Sequence, residues 1–84
     1  MGEVIDVKPD SVLDVKGLCC PMPVVKAKKA METIEVGQVL EIVGTDAGSK
    51  GDMPAWAKRA GHEFLGSTEE EGGEVFHFFV RKGK

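Results

Sequence analysis

The sequence predicts an α+β fold in which four strands form one mixed sheet and two helices cover one of its faces. Two patterns support this prediction: apolar residues alternate in the strand-like segments and follow helical spacing in two segments between them. The predicted order is β-α-β-α-β-β. The chain has 84 residues, of which 42% are hydrophobic, so we expect a single domain over 1–84 with apolar residues for one small core only.

The first strand is predicted over 11–15, where Leu13 and Val15 share the buried side. Pro9 separates this strand from the aliphatic segment 4–7, which we expect to extend it. Helical spacing then begins and runs over 24–34. The core-facing positions of this helix are Val24, Ala27, Ala30, Met31 and Ile34.

The second strand, 38–43, is almost continuously apolar, which is typical of an interior strand. Asp46 lies in a glycine-rich loop, where we expect it to form a turn, and Asp52 with Pro54 predicts the start of the second helix, capped by Asp52. Gly61 is the expected helix end. Two last strands, 63–67 and 74–80, flank the turn residues 69–73 of an antiparallel hairpin.

Composition excludes several classes of protein. The formal net charge of −3 argues against nucleic-acid binding that is driven by phosphate neutralisation. No apolar run is long enough for a membrane span, and acidic Glu3 and Asp6 stand where a signal peptide would be basic, so we expect a cytoplasmic protein. The two cysteines are adjacent, which argues against a structural disulfide. The sequence has no Cys-x-x-Cys and no His-x-x-x-His pair, which argues against a metal site.

Cys20 is the residue with the clearest chemical potential. Pro21 and Pro23 follow it, and proline is tolerated in a helix only in the first turn, so the helix is predicted to begin at about 20 or 21. The free amides and the positive dipole end at that position lower the pKa of a thiol. Lys16 and Lys26 are expected to add positive charge.

A thiol with a lowered pKa is a good leaving group, and this favours sulfur transfer over hydrolysis. If Cys20 carried a persulfide, another cysteine could take the terminal sulfur and expel the Cys20 thiolate. A cysteine hydrolase would need a base and an oxyanion hole. Nothing in the pattern places His62 or His77 near Cys20.

A set of motifs covers nearly the whole chain: Asp14-x-x-Gly17-Leu18-x-Cys20-Pro21-x-Pro23-Val24, Gly37-Gln38-x-Leu40, Thr45-Asp46, Asp52-x-Pro54-x-Trp56 and Gly61-His62. They resemble the TusA family, also called SirA-like, of small sulfur carrier proteins. The Cys-Pro-x-Pro motif is specific when, as here, it follows a strand and Gly17-Leu18 and opens a helix.

The resemblance implies a two-layer α/β sandwich and a persulfide carried on Cys20, with no separate cofactor. It implies a cysteine desulfurase or rhodanese as sulfur donor and a protein with a reactive cysteine as acceptor. The process served would be tRNA thiolation, molybdenum cofactor assembly or sulfur oxidation. We expect a monomer that binds neither nucleic acid nor membrane.

Residues around Cys20 have two interpretations each. Lys26 and Lys29 form either a solvated helix face or a docking surface for an acidic partner, with Met22 and Val25 as its apolar centre. Lys16 belongs to the same predicted surface. Cys19 is either a small residue in a loop or a second thiol that attacks a persulfide on its neighbour.

Two other functions stay open. A small domain of this kind can be a regulatory module that binds protein or RNA. The acidic balance and the few aromatic residues, four Phe and one Trp, argue against RNA. The other alternative is a redox switch that uses both Cys19 and Cys20.

Overall fold

The structure, a computed structural model, describes residues 9–18 and 22–84. Within them the chain forms four strands and two α-helices, in the predicted order, and one 3-10 turn over Glu71–Gly73. The predicted strand extension over 4–7, the predicted helix start at 20 or 21, and the residues Cys19, Cys20 and Pro21 lie outside the described residues. The elements are β1 (Ser11–Val15), α1 (Met22–Met31), β2 (Val39–Gly44), α2 (Ser49–Ala60), β3 (Glu63–Glu70) and β4 (Val75–Arg81).

The four strands form one sheet in the order β1-β2-β4-β3. β1 and β2 are parallel because the helical connection through α1 returns the chain to the same end of the sheet. β4 is antiparallel to both β2 and β3. The sheet is therefore mixed, and β2 lies in its interior, as its apolar sequence predicts.

The core lies between the sheet and the two helices. α1 contributes Ala27 and Met31, and α2 contributes Met53, Trp56 and Ala57, all of them buried. Both helices thus cover one face of the sheet, which confirms the predicted packing. The strand residues in this core are Val15, Leu40, Ile42, Phe76, Phe78 and Val80.

The helix boundaries differ from the prediction at two places. α1 ends at Met31, so Ile34 follows the helix in a turn, although it is still buried. The hydroxyl of Thr33 donates to the Ala30 carbonyl at 2.6 Å, which offers the backbone a local alternative to further helix.

α2 begins at Ser49, so the prediction that Asp52 caps this helix is wrong. Gly48 is the N-cap residue, and Asp52 lies in the first turn. The acidic residue that turns the chain into the helix is Asp46, whose Oδ1 accepts the Gly48 N–H at 3.2 Å, as expected for a loop aspartate. Pro54 lies inside the helix, where it removes one backbone donor.

Glycines with positive φ values mark the end of α2 and the turn of the hairpin. Gly61 ends the helix with a φ of 83°, and the His62 N–H donates to the Ala57 carbonyl at 2.8 Å. β3 extends beyond the predicted 67 to Glu70, because its last residues still pair with β4. The turn then uses positive φ values at Gly72 and Gly73.

The face of the sheet opposite the helices is mixed in character. Glu41 and His77 are partly buried there, and Phe79 pairs with Glu41 across β2 and β4. Val12 on β1 is 60% exposed. No helix within the described residues is long and apolar enough to cross a membrane.

Candidate functional site

A tight turn carries the chain from β1 towards α1. The Leu18 N–H donates to the Val15 carbonyl at 3.1 Å, and Gly17 has a φ of 83°, which glycine adopts without steric penalty. The Lys16 N–H donates to Asp14 Oδ1 at 2.9 Å. Leu18 packs against the core, so the chain is fixed in place two residues before Cys20.

Thr45 holds this turn from the neighbouring strand. Its Oγ1 accepts the Gly17 N–H at 2.9 Å, directly after the end of β2. The contact exists because β1 and β2 are parallel, so their carboxyl ends meet at one edge of the sheet. Thr45 is in the motif set, but its positioning role was not predicted.

The first described turn of α1 is fixed by Pro23. Its side chain is fully buried, whereas Met22 beside it is 40% exposed. Pro23 thus lies in the first helical turn, as predicted, and it has a packing role as well. No acidic residue lies in this turn, so no carboxylate there opposes the positive end of the helix dipole.

Four of the predicted docking residues share one exposed stripe of α1. Met22, Val25, Lys26 and Lys29 follow the i, i+3, i+4, i+7 spacing of one helix face, and all four are exposed. Neither lysine forms an ion pair with a described residue. We call these four residues the α1 stripe.

Lys16, the fifth predicted docking residue, is separate from the α1 stripe in sequence and lies in the turn after β1. Its Nζ lies 3.9 Å from Asp14 Oδ2, and both side chains are more than half exposed. An exposed pair of this kind contributes little to stability. Lys16 therefore remains available to solvent and to other molecules.

Both histidines are engaged away from this turn. His77 lies on β4, with Nδ1 at 2.5 Å from Glu41 Oε2 and Nε2 at 2.6 Å from Glu70 Oε2. His62 follows α2 and accepts the Gly83 N–H at Nδ1, at 3.0 Å. Among residues 9–18 and 22–84, no group of His, Asp or Glu is arranged to hold a metal ion.

The ion pairs of His77 predict a pH dependence of stability. Burial alone would lower the pKa of His77, but hydrogen bonds to Glu70 and Glu41 and their charges raise it above the ordinary 6.5. A raised pKa in the folded state stabilises the fold below 6.5, and this contribution disappears as the pH rises through the folded-state value. The free energy of unfolding lost in His77→Gln is therefore expected to be larger on the acidic side of neutrality.

Urea unfolding of the parent and of His77→Gln, at several pH values on both sides of 6.5, measures this difference. His62→Gln is the matched control and is expected to show the opposite trend, because burial and the charges of Lys82 and Lys84 lower the pKa of His62. If the free energy of unfolding lost in His77→Gln is constant with pH, or larger under alkaline conditions, the proposed role of the ion pairs is contradicted.

Comparison with known proteins places the chain in a family. The family model described as sulfurtransferase TusA matches residues 11–82. YrkI of Bacillus subtilis is 51% identical over 76 residues, which are 90% of this chain and 99% of that protein. The sulfur carrier protein TusA of Allochromatium vinosum is 47% identical over 73 residues, which are 87% of this chain and 93% of that protein.

A solved structure has the same fold. The crystal structure of the SirA-like protein from Desulfitobacterium hafniense superposes with a TM-score of 0.75 at 27% identity, over 88% of this chain and 99% of that chain. The agreement confirms the predicted α+β architecture. The matched family residues 11–82 include the whole sheet, both helices and the Cys-Pro-x-Pro segment of the sequence, and the chain therefore belongs to the TusA family.

Proposed function

We propose that this chain is a sulfur carrier in which Cys20 accepts sulfane sulfur from one protein and passes it to a cysteine of another. The observation that carries the proposal is the family match over 11–82, which spans Cys20. The turn at Gly17 and the buried Pro23 support it, because they fix the chain on both sides of the thiol. The sulfur is held covalently, so the carrier needs no separate cofactor.

Both transfer steps exchange one sulfur–sulfur bond for another, with no net oxidation. In loading, the Cys20 thiolate attacks the terminal sulfur of a persulfide on the donor, and the donor cysteine leaves as a thiolate. In delivery, a thiolate of the acceptor attacks the terminal sulfur on Cys20, and the Cys20 thiolate leaves. The lowered pKa that the sequence predicts for Cys20 assists delivery, since a more acidic thiol leaves faster.

The partners belong to two chemical classes. The donor is a protein that makes a persulfide, a cysteine desulfurase or a rhodanese, and the acceptor is a protein with a reactive cysteine. We propose that the relay serves tRNA thiolation, molybdenum cofactor assembly or sulfur oxidation. The chain itself takes part only in the steps in which the sulfur is bound to a protein cysteine.

The function is tested by the intact mass of the protein after incubation with a cysteine desulfurase and free cysteine. The expected result is a gain of one sulfur atom that a reductant removes. Rhodanese with thiosulfate is the second donor. If neither donor adds a reductant-labile sulfur atom to the folded protein, the sulfur-carrier proposal is wrong and the regulatory module becomes the better hypothesis.

The α1 stripe is proposed as the docking surface for these partners. Met22 and Val25 supply an apolar centre, and Lys26 and Lys29 supply positive charge for an acidic patch on the partner. Charge complementarity of this kind acts mainly on the rate of association.

The double variant Lys26→Glu/Lys29→Glu is expected to load about tenfold more slowly at low salt, because its charge would repel the acidic partner. Lys58→Glu/Arg59→Glu changes the net charge equally, at exposed positions of α2, and is expected to load like the parent. The rate of mass gain at low and high salt measures both effects. Equal slowing in the two variants would show that the net charge of the protein controls the loading rate, and not the charge of the α1 stripe.

A further inference from the structure

A cavity of about 220 Å³ lies at the C-terminal end of α1. Residues from the last turns of α1 and α2 and from the segment after β4 surround it. α1 rises roughly 14 Å from Met22 to Met31, so the cavity is well separated from the first described residue of that helix. Its volume is below the roughly 300 Å³ at which drug-sized pockets begin, so it fits a ligand about the size of one ring.

One part of the cavity wall is apolar. Trp56 and Met31 are both buried in the core and line the cavity with Ala60. The indole ring of Trp56 also packs against His62, with the ring centroids 5.6 Å apart. An apolar molecule bound here would be removed from water against this wall, which is favourable in proportion to the area covered.

The other part of the wall is positively charged. Lys28, Lys82 and Lys84 line the cavity, and Glu32 is the one carboxylate among the lining residues. Lys82 is held in place, because its Nζ donates to the Ile34 carbonyl at 2.7 Å. Lys28 and Lys84 form no ion pair with a described residue. The lining side chains therefore carry three ammonium groups and one carboxylate, which is an excess of positive charge.

His62 adds a hydrogen-bond donor. Its Nδ1 accepts the Gly83 N–H at 3.0 Å, so in the neutral ring the proton is on Nε2. Burial and the charges of Lys82 and Lys84 lower the pKa of this histidine from the ordinary 6.5.

We propose that this cavity binds a small organic carboxylate, with its apolar body on Trp56, Met31 and Ala60 and its charged group among Lys28, Lys82 and Lys84. Both the apolar wall and the ammonium groups favour this class of ligand. An inorganic anion would leave the apolar wall uncovered, and a neutral apolar molecule would supply no charge opposite the ammonium groups. The site is independent of sulfur transfer, so it should bind its ligand equally well in Cys20→Ala.

Benzoate is a suitable probe, because it joins one ring to one carboxylate. Trp56 is the single tryptophan of the chain and reports binding by its fluorescence, with the NMR shift of its indole N–H as a second readout. We expect a saturable response to benzoate in the millimolar range. Benzyl alcohol, which lacks the charge, and acetate, which lacks the ring, are expected to bind at least about tenfold more weakly.

The double variant Lys28→Gln/Lys84→Gln is expected to weaken benzoate binding about tenfold, at roughly threefold for each exposed lysine. Lys26→Gln/Lys29→Gln removes the same charge from the α1 stripe and should bind like the parent. The pKa of His62, followed by NMR, should rise when benzoate binds, because the carboxylate offsets the lysine charges.

The carboxylate proposal is overturned by any of three results. The first is no saturable response up to roughly 10 mM benzoate. The second is benzyl alcohol or acetate binding as tightly as benzoate. The third is equal loss of affinity in the two lysine variants. None of these results affects sulfur loading on Cys20, so the failure of this proposal and that of the sulfur-carrier proposal are distinguishable.

Discussion

Replacing Cys20 with alanine is expected to abolish sulfur loading by a cysteine desulfurase. The physical reason is that the proposed transfer forms a sulfur–sulfur bond at this residue, and alanine has no nucleophile. Leu18 packs against the core and the side chain of Pro23 is buried, so the variant should fold like the parent. The check is the rate and extent of mass gain, together with circular dichroism to confirm the fold.

Cys19→Ala is the matched control, because it removes the adjacent thiol and leaves the Cys-Pro-x-Pro motif intact. If Cys19 is a small loop residue, this variant loads as fast and as fully as the parent. Loading in Cys20→Ala at the rate of the parent would contradict the proposed role of Cys20. If both variants fail to load, the two thiols act together, as in the redox-switch alternative.

Replacing Phe78 with alanine is expected to lower the free energy of unfolding by about 3–5 kcal/mol. Phe78 is 1% exposed, lies in the middle of β4 and pairs in register with Ile42 of the other central strand. The Phe76 ring lies 6.4 Å from it, measured between centroids. Truncation therefore leaves a cavity in the centre of the core. Since small domains are stable by about 5–15 kcal/mol, the variant is expected to be close to unfolding.

Urea unfolding followed by the fluorescence of buried Trp56 measures this loss. Phe78→Leu keeps most of the apolar volume and should lose less than about 1.5 kcal/mol. Val36→Ala, at a position that is 64% exposed, should change stability by no more than about 0.5 kcal/mol. A loss of under 1 kcal/mol in Phe78→Ala would mean that the core does not depend on this ring as the burial indicates.

The fold was predictable because its main signals are local. The spacing of Ala27 and Met31 identifies the buried side of α1, and the apolar run over 38–43 identifies an interior strand. Gly61 marks the end of α2 because a left-handed residue is needed there, and glycine adopts that conformation readily.

The boundaries that were wrong depend on contacts that the local pattern does not contain. α2 begins at Ser49 because Asp46 and the loop turn the chain earlier than the composition of 44–51 indicates. β3 continues to Glu70 because β4 offers pairing partners as far as Val75. Alternation and turn composition do not specify which residues pair, so they place these ends only approximately.

Part of the candidate site could likewise be predicted from local sequence patterns, and part could not. The α1 stripe follows from helical spacing, and the motif around Cys20 follows from the helix-start rules for proline. The contact between Gly17 and Thr45 joins residues 28 positions apart, and it exists only because two parallel strands end side by side. The cavity near Trp56 likewise gathers Lys28 and Lys82 from distant parts of the chain.

The most direct test of sulfur carriage is to locate the transferred sulfur atom within the chain. The protein is loaded by a desulfurase, the persulfide is trapped by alkylation, and a peptide that contains both cysteines is fragmented in a mass spectrometer. Fragment ions separate the two adjacent residues, because each backbone cleavage assigns the added mass to one side. The expected result is one additional sulfur atom on Cys20 and an ordinary alkylated thiol on Cys19. Additional sulfur on Cys19 alone, or on neither residue, would contradict Cys20 as the carrier.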